Sequence, residues 1–325
     1  MGTKLAKMAH MNVLVSQPIS ESGIFLLKKH FNVEVSPHKL KKEELIAHIR
    51  NKEALVCSYD YIDEDILCAA EKLKMISSVS VGVEKIDIRA AAQKNIIVTN
   101  VRGTLDQTVA EFVFLHILAV SRHLTSADAY VRRGEFKQWS HDLFLGREIY
   151  KKSLGIIGLG MVGKALVPIA KGFGMEVLYT NRTGALKEYG RDSNILFGDM
   201  HFVLANSDYV VLLVPLTKKT THLITYKELS LMKKDAILIN MSRGPVVSEN
   251  DLVRALQEGV IGGACLDVFE HEPKVADGLL KMSNVVLTPH IGSATVEARS
   301  RMAECAAQNV IDVLSGNGCQ NIVTQ

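Results

Sequence analysis

The sequence predicts an α/β protein built from two doubly wound parallel sheets. Short apolar runs alternate with helical patterns along most of the chain, which is typical of parallel strands covered by helices on both faces. The length of 325 residues is long for one core and suits two domains. A glycine-rich turn, Gly158–Gly163, joins a strong strand to a helix near the middle of the chain, where we expect the second sheet to begin.

Composition and charge exclude several classes of protein. Apolar residues make up 47% of the chain and charged residues 22%, as in ordinary soluble globular proteins. The net charge of +3 is too small and too dispersed to indicate nucleic acid as a partner. The five cysteines form no C-x-x-C pair, which favours reduced thiols over disulfides or a zinc site. No apolar stretch reaches the about 18 residues of a membrane span, and no signal peptide is evident, so we expect a cytosolic protein without membrane contact.

The first hundred residues alternate strand and helix but contain no glycine fingerprint, so we expect a doubly wound domain without its own nucleotide. The turn Ser80–Val83 follows a strand, and its backbone N–H groups can receive a carboxylate, although a plain turn fits the same residues. The predicted strands are Met11–Val15, Phe31–Val35, Ala54–Ser58, Met75–Val81 and Asn95–Thr99. The predicted helices are Ile24–His30, Lys42–Asn51 and Asp63–Glu71.

A long apolar pattern, Thr104–His123, predicts a buried helix between the two halves. The polar segment Arg132–Arg147 follows and contains the only tryptophan, Trp139, which is either a local anchor or a contact to another subunit. No Pro-, Gly- or Ser-rich linker divides the chain. We therefore expect the domain boundaries in helices, near residues 104 and 293.

The glycine turn has the spacing G-x-G-x-x-G, which is the dinucleotide-binding fingerprint when it lies between a strand and a helix. Gly158 makes the tight turn, Gly160 lets the backbone approach a pyrophosphate, and Gly163 lets the helix pack closely on the strand. The helix N-terminus attracts the anion. A strand at Met175–Thr180 follows at the distance that a βαβ unit requires, so we expect a bound nucleotide.

Further strands bring polar residues to one edge of the second sheet, because ligands bind at the carboxyl ends of parallel strands. The predicted strands are Leu154–Ile157, Val177–Thr180, Tyr209–Val214, Ala236–Asn240, Gly263–Val268 and Asn284–Leu287, before a last helix at Ser293–Leu314. The residues after these strands are the glycine turn, Asn181–Thr183, Pro215, Ser242–Gly244, Asp267 with Glu270 and Glu272, and Pro289–His290.

A nucleotide beside arginine, glutamate and histidine indicates hydride transfer to a carbonyl group. His290 is the candidate proton donor, because an imidazole titrates near neutral pH. A neighbouring carboxylate favours the imidazolium form, which is the role expected of Glu272. Arg243 can bind a substrate carboxylate through its guanidinium fork and polarise the adjacent carbonyl. These positive groups make a metal unnecessary.

The sequence resembles the D-isomer-specific 2-hydroxyacid dehydrogenase family, and most closely its glyoxylate and hydroxypyruvate reductases. The resemblance rests on Ser80–Val83, Gly158–Gly163, Asn240–Pro245, Leu266–Pro273 and Pro289–Ala294, in the family's order and spacing. It implies a substrate-binding domain of residues 1–103 and 293–325, a dinucleotide-binding domain of residues 104–292, an active-site cleft between them, and a homodimer.

The resemblance also assigns roles to single residues. It implies Arg243, Glu272 and His290 as the catalytic residues. It implies that the substrate carboxylate binds the backbone of Val81 and Gly82, with Ser58, Tyr59, Trp139 and Leu143 as selecting positions. Asp267 is expected to hold the nicotinamide carboxamide. The remaining cofactor-binding candidates are Thr108, Gly158, Gly160, Met161, Val162, Gly163, Asn181, Arg182, Thr183, Val214, Pro215, Met241 and Gly292.

One departure concerns the cofactor. NAD enzymes place an acidic residue after the second strand to bind the ribose 2′-OH, whereas this chain has Asn181, Arg182 and Thr183. Arg182 can pair with a 2′-phosphate through charge-assisted bonds worth about 1.5–3 kcal/mol each. We therefore expect a preference for NADPH; a solvated arginine with NAD tolerated is the alternative.

The expected reaction is reduction of small 2-keto acids to D-2-hydroxy acids. The sequence does not determine whether the substrate is glyoxylate, hydroxypyruvate, 2-ketogluconate or D-lactate. An NAD-dependent dehydrogenase that acts on D-lactate or 2-ketogluconate is therefore an alternative. A glutamine in place of Glu272 would be typical of formate dehydrogenases, which need no proton donor. A corepressor-like NAD(H)-sensing scaffold is a further alternative, and a turnover below about 0.01 per second would favour it.

Overall fold

The computed structural model describes residues 10–190, 192 and 194–323. They divide into two compact units. The first comprises the described residues up to Leu105 together with those from Ala294 onward, and the second is Asp106–Ser293. Both boundaries lie in short non-helical segments just before a helix, whereas the sequence predicted boundaries within helices. The outer limits of the predicted first domain, residues 1 and 325, lie outside the described residues.

The first unit contains a five-stranded parallel sheet of order β2-β1-β3-β4-β5. Its elements in chain order are β1 Asn12–Val15, α1 Glu21–Lys28, β2 Asn32–Val35, α2 Lys42–Ile49, β3 Ala54–Cys57, α3 Glu64–Ala69, β4 Met75–Ser78, α4 Ile88–Gln93 and β5 Ile97–Thr99, with α12 Val296–Ser315 added from the chain end. Alternate strand residues face opposite sides of this sheet. Leu55 and Ile76 pack with α2, α3 and α4, whereas Val56 and Met75 pack with α1 and α12.

The second unit contains a seven-stranded parallel sheet of order β12-β11-β10-β9-β6-β7-β8. Its strands are β6 Ser153–Ile157, β7 Glu176–Thr180, β8 Ile195–Phe197, β9 Tyr209–Leu212, β10 Ile237–Asn240, β11 Gly263–Leu266 and β12 Val285–Leu287. Its helices are α5 Asp106–Ser121, α6 Leu124–Arg132, α7 Met161–Gly172, α8 Met200–Asn206, α9 Tyr226–Leu229, α10 Glu249–Gln257 and α11 Asp277–Leu280. The order reverses between β6 and β9, which is the topological switch point of a Rossmann sheet. The predicted fold class of two doubly wound parallel-sheet domains is confirmed.

The structure corrects several predicted element ends. The strands predicted to end at Val81, Val214 and Val268 end two or three residues earlier. After β4 the chain turns because the Ser80 hydroxyl donates to the Gly82 carbonyl, 2.6 Å away, in place of a ladder bond. The predicted long helix ends at Ser121, because His123 has a left-handed φ of 52°, and α6 then begins. The edge strand β8 was missed.

Within the described residues, no helix is long and apolar enough to cross a membrane.

Candidate active site

The glycine turn between β6 and α7 fits a dinucleotide pyrophosphate. Gly158 has φ +99°, and a Cβ there would lie 2.9 Å from Val214 Cγ1. A Cβ on Gly160 would meet no heavy atom within 4 Å, so the space in front of the helix N-terminus is open. A Cβ on Gly163 would lie 2.9 Å from Leu159 Cδ1, at the packed side of the helix. Each glycine is therefore placed where the fingerprint requires a tight turn, an open approach and close packing.

Asn181, at the end of β7, binds the glycine turn itself. Its Oδ1 accepts the Leu159 N–H at 2.7 Å, and its Nδ2 donates to the Leu159 carbonyl at 3.2 Å. These paired bonds fix the turn, a role that the sequence reasoning did not anticipate. The next two residues, Arg182 and Thr183, are exposed, so the guanidinium is accessible beside the turn.

The turn after β10 carries Arg243. Asn240 Oδ1 accepts from the Ser242 N–H at 3.1 Å and from its hydroxyl at 2.8 Å, while Asn240 Nδ2 donates to the Arg243 carbonyl at 3.0 Å. Arg243 is half-buried, and its Nη1 donates to the Ser242 carbonyl at 2.7 Å. Gly244 lies directly on the next loop, because a Cβ there would come within 1.8 Å of the Phe269 carbonyl oxygen. Only a glycine fits this contact.

Two glutamates tie the start of α10 to the loop after β11. The Glu249 N–H donates to Glu270 Oε2 at 3.1 Å, and the Glu270 N–H donates to Glu249 Oε1 at 2.6 Å. His222 Nε2 lies 2.6 Å from Glu270 Oε1. Burial opposes ionisation of Glu270, but the Glu249 N–H and His222 outweigh it and lower the pKa of this carboxyl. The reciprocal hydrogen bonds between Glu249 and Glu270 were not predicted, since nothing in the spacing of the two residues indicates a contact.

Glu272 and His290 are joined by a hydrogen bond. Glu272 Oε2 lies 3.0 Å from His290 Nδ1, and Glu272 Oε1 accepts the Phe269 N–H at 3.1 Å. The side chains are 36% exposed for His290 and 18% for Glu272. His290 has a left-handed φ of 55°, and its N–H donates to the Asp267 carbonyl at 2.8 Å.

The buried side chain of Asp267 holds the backbone that follows β12. Its Oδ1 accepts the Ile291 N–H at 2.9 Å, and its Oδ2 accepts the Gly292 N–H at 2.8 Å. A Cβ on Gly292 would lie 3.6 Å from Phe112 Cδ1 and 3.9 Å from Val109 Cγ2, both on α5, where Thr108 is also buried. Val214 and Pro215 follow β9, and Met241 follows β10. The second unit thus gathers these candidates at or near the carboxyl edge of its sheet.

In the first unit, the candidates Ser58, Val81 and Gly82 follow β3 and β4. A small surface pocket is lined by Cys57, Tyr59, Ser80, Gly82 and Lys85, among others. Within the described residues, the Val81 and Gly82 N–H groups donate to no protein acceptor. These N–H groups remain available to a ligand.

Trp139 is 68% exposed, and its ring centroid lies 4.5 Å from that of His141. It follows α6 in a segment without helix or strand. Among the described residues, no three His, Cys, Asp or Glu side chains form a group suited to a metal ion.

Comparison with known proteins identifies the class. The sequence model described as "D-isomer specific 2-hydroxyacid dehydrogenase, NAD binding domain" matches residues 114–292. The chain is 44% identical over 323 residues to a glyoxylate reductase of Thermococcus litoralis, covering 96% of each protein. It is also similar to the TT0316 protein of Thermus thermophilus, with a TM-score of 0.88 and 36% identity over 96% of this chain and 100% of that one. An NADPH-dependent glyoxylate/hydroxypyruvate reductase of Sinorhizobium meliloti has a TM-score of 0.87 and 27% identity over 97% and 98% of the two chains.

The fold, the glycine turn and these matches define an oxidoreductase with an NAD-binding domain. The chain belongs to the D-isomer specific 2-hydroxyacid dehydrogenase family.

Proposed function

We propose that this protein is an NADPH-preferring reductase of small 2-keto acids, of the glyoxylate and hydroxypyruvate type. The observation that carries the reaction type is the Glu272–His290 pair at 3.0 Å, in the unit that also holds the glycine turn. Similarity to glyoxylate reductases supports the substrate class.

The proposed mechanism assigns a role to each of the three catalytic side chains. Arg243 binds the carboxylate and polarises the carbonyl oxygen of the keto acid. His290 carries the transferable proton on Nε2 while Nδ1 donates to Glu272, which stabilises the imidazolium. The reduced nicotinamide, when bound, supplies the hydride. The N–H groups of Val81 and Gly82 are assigned to the substrate carboxylate, with Ser58 as a selecting position.

We assign the dinucleotide to the edge formed by the glycine turn. The N–H groups of Met161 and Val162, in the first turn of α7, face no earlier helical turn and suit a pyrophosphate. Val214, Pro215 and Met241 lie at the neighbouring strand ends and suit the ring systems of the cofactor.

Arg182 carries the proposed cofactor preference. It is exposed at the end of β7, where an acidic residue would repel a 2′-phosphate. Arg182→Ala should raise KM for NADPH about tenfold or more, which corresponds to the loss of about 1.4 kcal/mol of binding. KM for NADH in the same variant is the control and should change little. Equal changes in both constants would refute the preference.

The substrate is tested by a panel of 2-keto acids with NADPH and NADH. Glyoxylate and hydroxypyruvate should be reduced at rates typical of enzymes, with a median near 10 per second. Turnover below about 0.01 per second for every keto acid would favour a cofactor-sensing scaffold instead.

A homodimer is proposed from exposed apolar side chains in the second unit. Leu124 and Val131 on α6 and Phe136, Trp139 and Leu145 after it are each more than half exposed. Exposed apolar surface of this kind typically marks an interaction site. Light scattering on the purified protein should give twice the chain mass of 35.8 kDa. If Trp139 reaches the partner's substrate, Trp139→Ala should raise KM for the keto acid without raising KM for NADPH.

A further inference from the structure

A buried histidine on α5 lies outside the residues assigned so far. His116 is 1% exposed. Its Nδ1 lies 2.9 Å from the Phe112 carbonyl oxygen, and its Nε2 lies 3.1 Å from Thr288 Oγ1. Thr288 Oγ1 in turn lies 2.6 Å from Asp267 Oδ1. The side chains of His116, Thr288 and Asp267 therefore form a continuous chain of hydrogen bonds inside the second unit.

The hydrogens that this series of hydrogen bonds requires can be counted. A carbonyl oxygen only accepts, so Nδ1 of His116 must carry a hydrogen. The contact from His116 to Thr288 needs a second hydrogen, and the contact from Thr288 to Asp267 needs a third. A neutral imidazole and a hydroxyl bring only two hydrogens between them. The third is present only when His116 is an imidazolium or Asp267 is a carboxylic acid.

The series of hydrogen bonds from His116 ends at the backbone segment that carries His290. Asp267 accepts the N–H groups of Ile291 and Gly292 through its side chain and that of His290 through its carbonyl. The orientation of the His290 turn therefore depends on Asp267. Asp267 in turn is linked to α5 through Thr288 and His116.

We infer that His116 is a positioning residue, and that the His116–Asp267 pair holds one shared proton and is net neutral. Its effect on catalysis rests on the proposed function, because it acts through His290. With the shared proton present, the pair as a whole adds no net charge beside the His290 turn. Loss of the shared proton adds one negative charge there and removes one hydrogen bond of the chain.

The surroundings of His116 act in both directions on its charge. Burial lowers the pKa of His116 and outweighs the Phe112 carbonyl and the Asp267 carboxylate, both of which raise it. The Phe112 ring lies edge-on at 4.5 Å. From β11, the Cys265 thiol faces the His116 carbonyl at 3.6 Å, and burial raises the pKa of that thiol, so it stays uncharged. Asp267 is thus the acidic side chain that faces His116 from the neighbouring strand ends, with the Thr288 hydroxyl between them.

Nuclear magnetic resonance of the whole protein tests the proton count directly. The measurement records the imidazole ¹⁵N signals of His116 and the ¹³Cγ signal of Asp267 near pH 7, assigned with His116→Leu and Asp267→Asn. We expect an imidazolium with a carboxylate, or a neutral Nδ1–H imidazole with a carboxylic acid. A neutral imidazole together with a carboxylate would overturn the inference. This measurement needs no turnover, so its outcome is independent of whether the protein reduces glyoxylate.

A pH profile tests the positioning role. In His116→Leu, the Thr288 hydroxyl can donate to Asp267, whose uncompensated charge then favours a protonated His290. The basic limb of kcat/KM for keto acid reduction should move to higher pH by on the order of half a unit. Thr288→Val should shift it in the same direction, and Thr288→Ser, which keeps the hydroxyl, should leave it in place. A lower melting temperature with an unmoved basic limb in both His116→Leu and Thr288→Val would show a merely structural role.

Discussion

The charge of Glu272 can be removed while its shape is kept, by Glu272→Gln. The Phe269 N–H, 3.1 Å from Oε1, should select the amide oxygen of the glutamine. The amide NH₂ then faces His290 Nδ1 in place of the carboxylate oxygen, 3.0 Å away in the native protein. An NH₂ donor in that position opposes a proton on Nδ1. The substitution therefore disfavours the imidazolium through both charge and hydrogen bonding.

The size of the effect follows from the geometry of the pair. Unit charges about 4 Å apart attract by roughly 1 kcal/mol in water and roughly 4 kcal/mol in a protein surface of effective dielectric constant 20. The His290 side chain is 36% exposed and that of Glu272 18%, so solvent screening places the pair between these limits. A loss of about 1.4–2.7 kcal/mol corresponds to about 1–2 pH units. Reduction requires the protonated imidazole, so the basic limb should move to lower pH by this amount.

The assay is the pH dependence of kcat/KM for glyoxylate with saturating NADPH, for the native protein and Glu272→Gln. Glu270→Gln is the matched control, because the Glu270 carboxylate is bonded to His222 and to the Glu249 N–H. Its overall rate can fall, but its basic limb should stay where it is in the native protein. An unmoved limb in Glu272→Gln would remove Glu272 from the control of proton donation. A matching shift in both variants would indicate a general loss of negative charge.

Three further substitutions test other parts of the structure. Gly160→Ala should raise KM for NADPH about tenfold, because the added Cβ would fill the proposed pyrophosphate space. The melting temperature should not fall, because that Cβ meets no protein atom within 4 Å. Unchanged cofactor kinetics would refute the placement of the pyrophosphate. Gly244→Ala should destabilise the protein by about 1–3 kcal/mol in chemical denaturation and reduce kcat, since its Cβ would lie 1.8 Å from the Phe269 carbonyl oxygen; native stability would contradict that contact. Burial opposes ionisation of Asp208, but the Ser153 N–H and other donors outweigh it and lower the pKa of this carboxyl. Asp208→Asn should therefore be less stable than the native protein at pH 7. The two stabilities should converge as the pH falls through that lowered pKa. An equal stability difference at pH 7 and pH 3 would exclude that contribution.

The fold could be predicted from the sequence because its strands are short, apolar and regularly spaced. The glycine fingerprint specified both the turn after β6 and the open space before α7. The break at His123 was missed because a left-handed histidine has no distinctive neighbours in the sequence. Strand β8 was missed because it is three residues long and two of them are exposed at the sheet edge. Local propensity decides neither case; both depend on packing against the rest of the unit.

The candidate site could also be predicted in part, because its residues follow the ends of strands. Residues at carboxyl ends of parallel strands share an edge, and this rule anticipated that Glu272 and His290 would lie close together. It did not anticipate which atoms meet. Asn181 was expected to contact the cofactor, yet its amide binds the backbone of Leu159. His116 was treated as part of an apolar helix, because periodicity alone cannot show a hydrogen-bonding partner 172 residues away.

The acidic residues around the loop after β11 differ in which groups their carboxylate oxygens contact besides the backbone. Asp267, Glu249, Glu270 and Glu272 each accept at least one backbone N–H, which fixes loops that no strand or helix supports. Carboxylates bound to N–H groups hold their charge in place before any ligand arrives, and such preorganisation avoids reorganisation during the reaction. Among these four, the second oxygen of Glu272 faces His290 and the second oxygen of Glu270 faces His222. Both oxygens of Asp267 accept a backbone N–H, and its Oδ1 also lies 2.6 Å from Thr288 Oγ1. The same type of residue therefore fixes backbone at all four positions, and Glu272 also contacts the proposed proton donor through its other oxygen. This difference explains why Glu272→Gln should move a pH profile while Glu270→Gln should change only the level of activity.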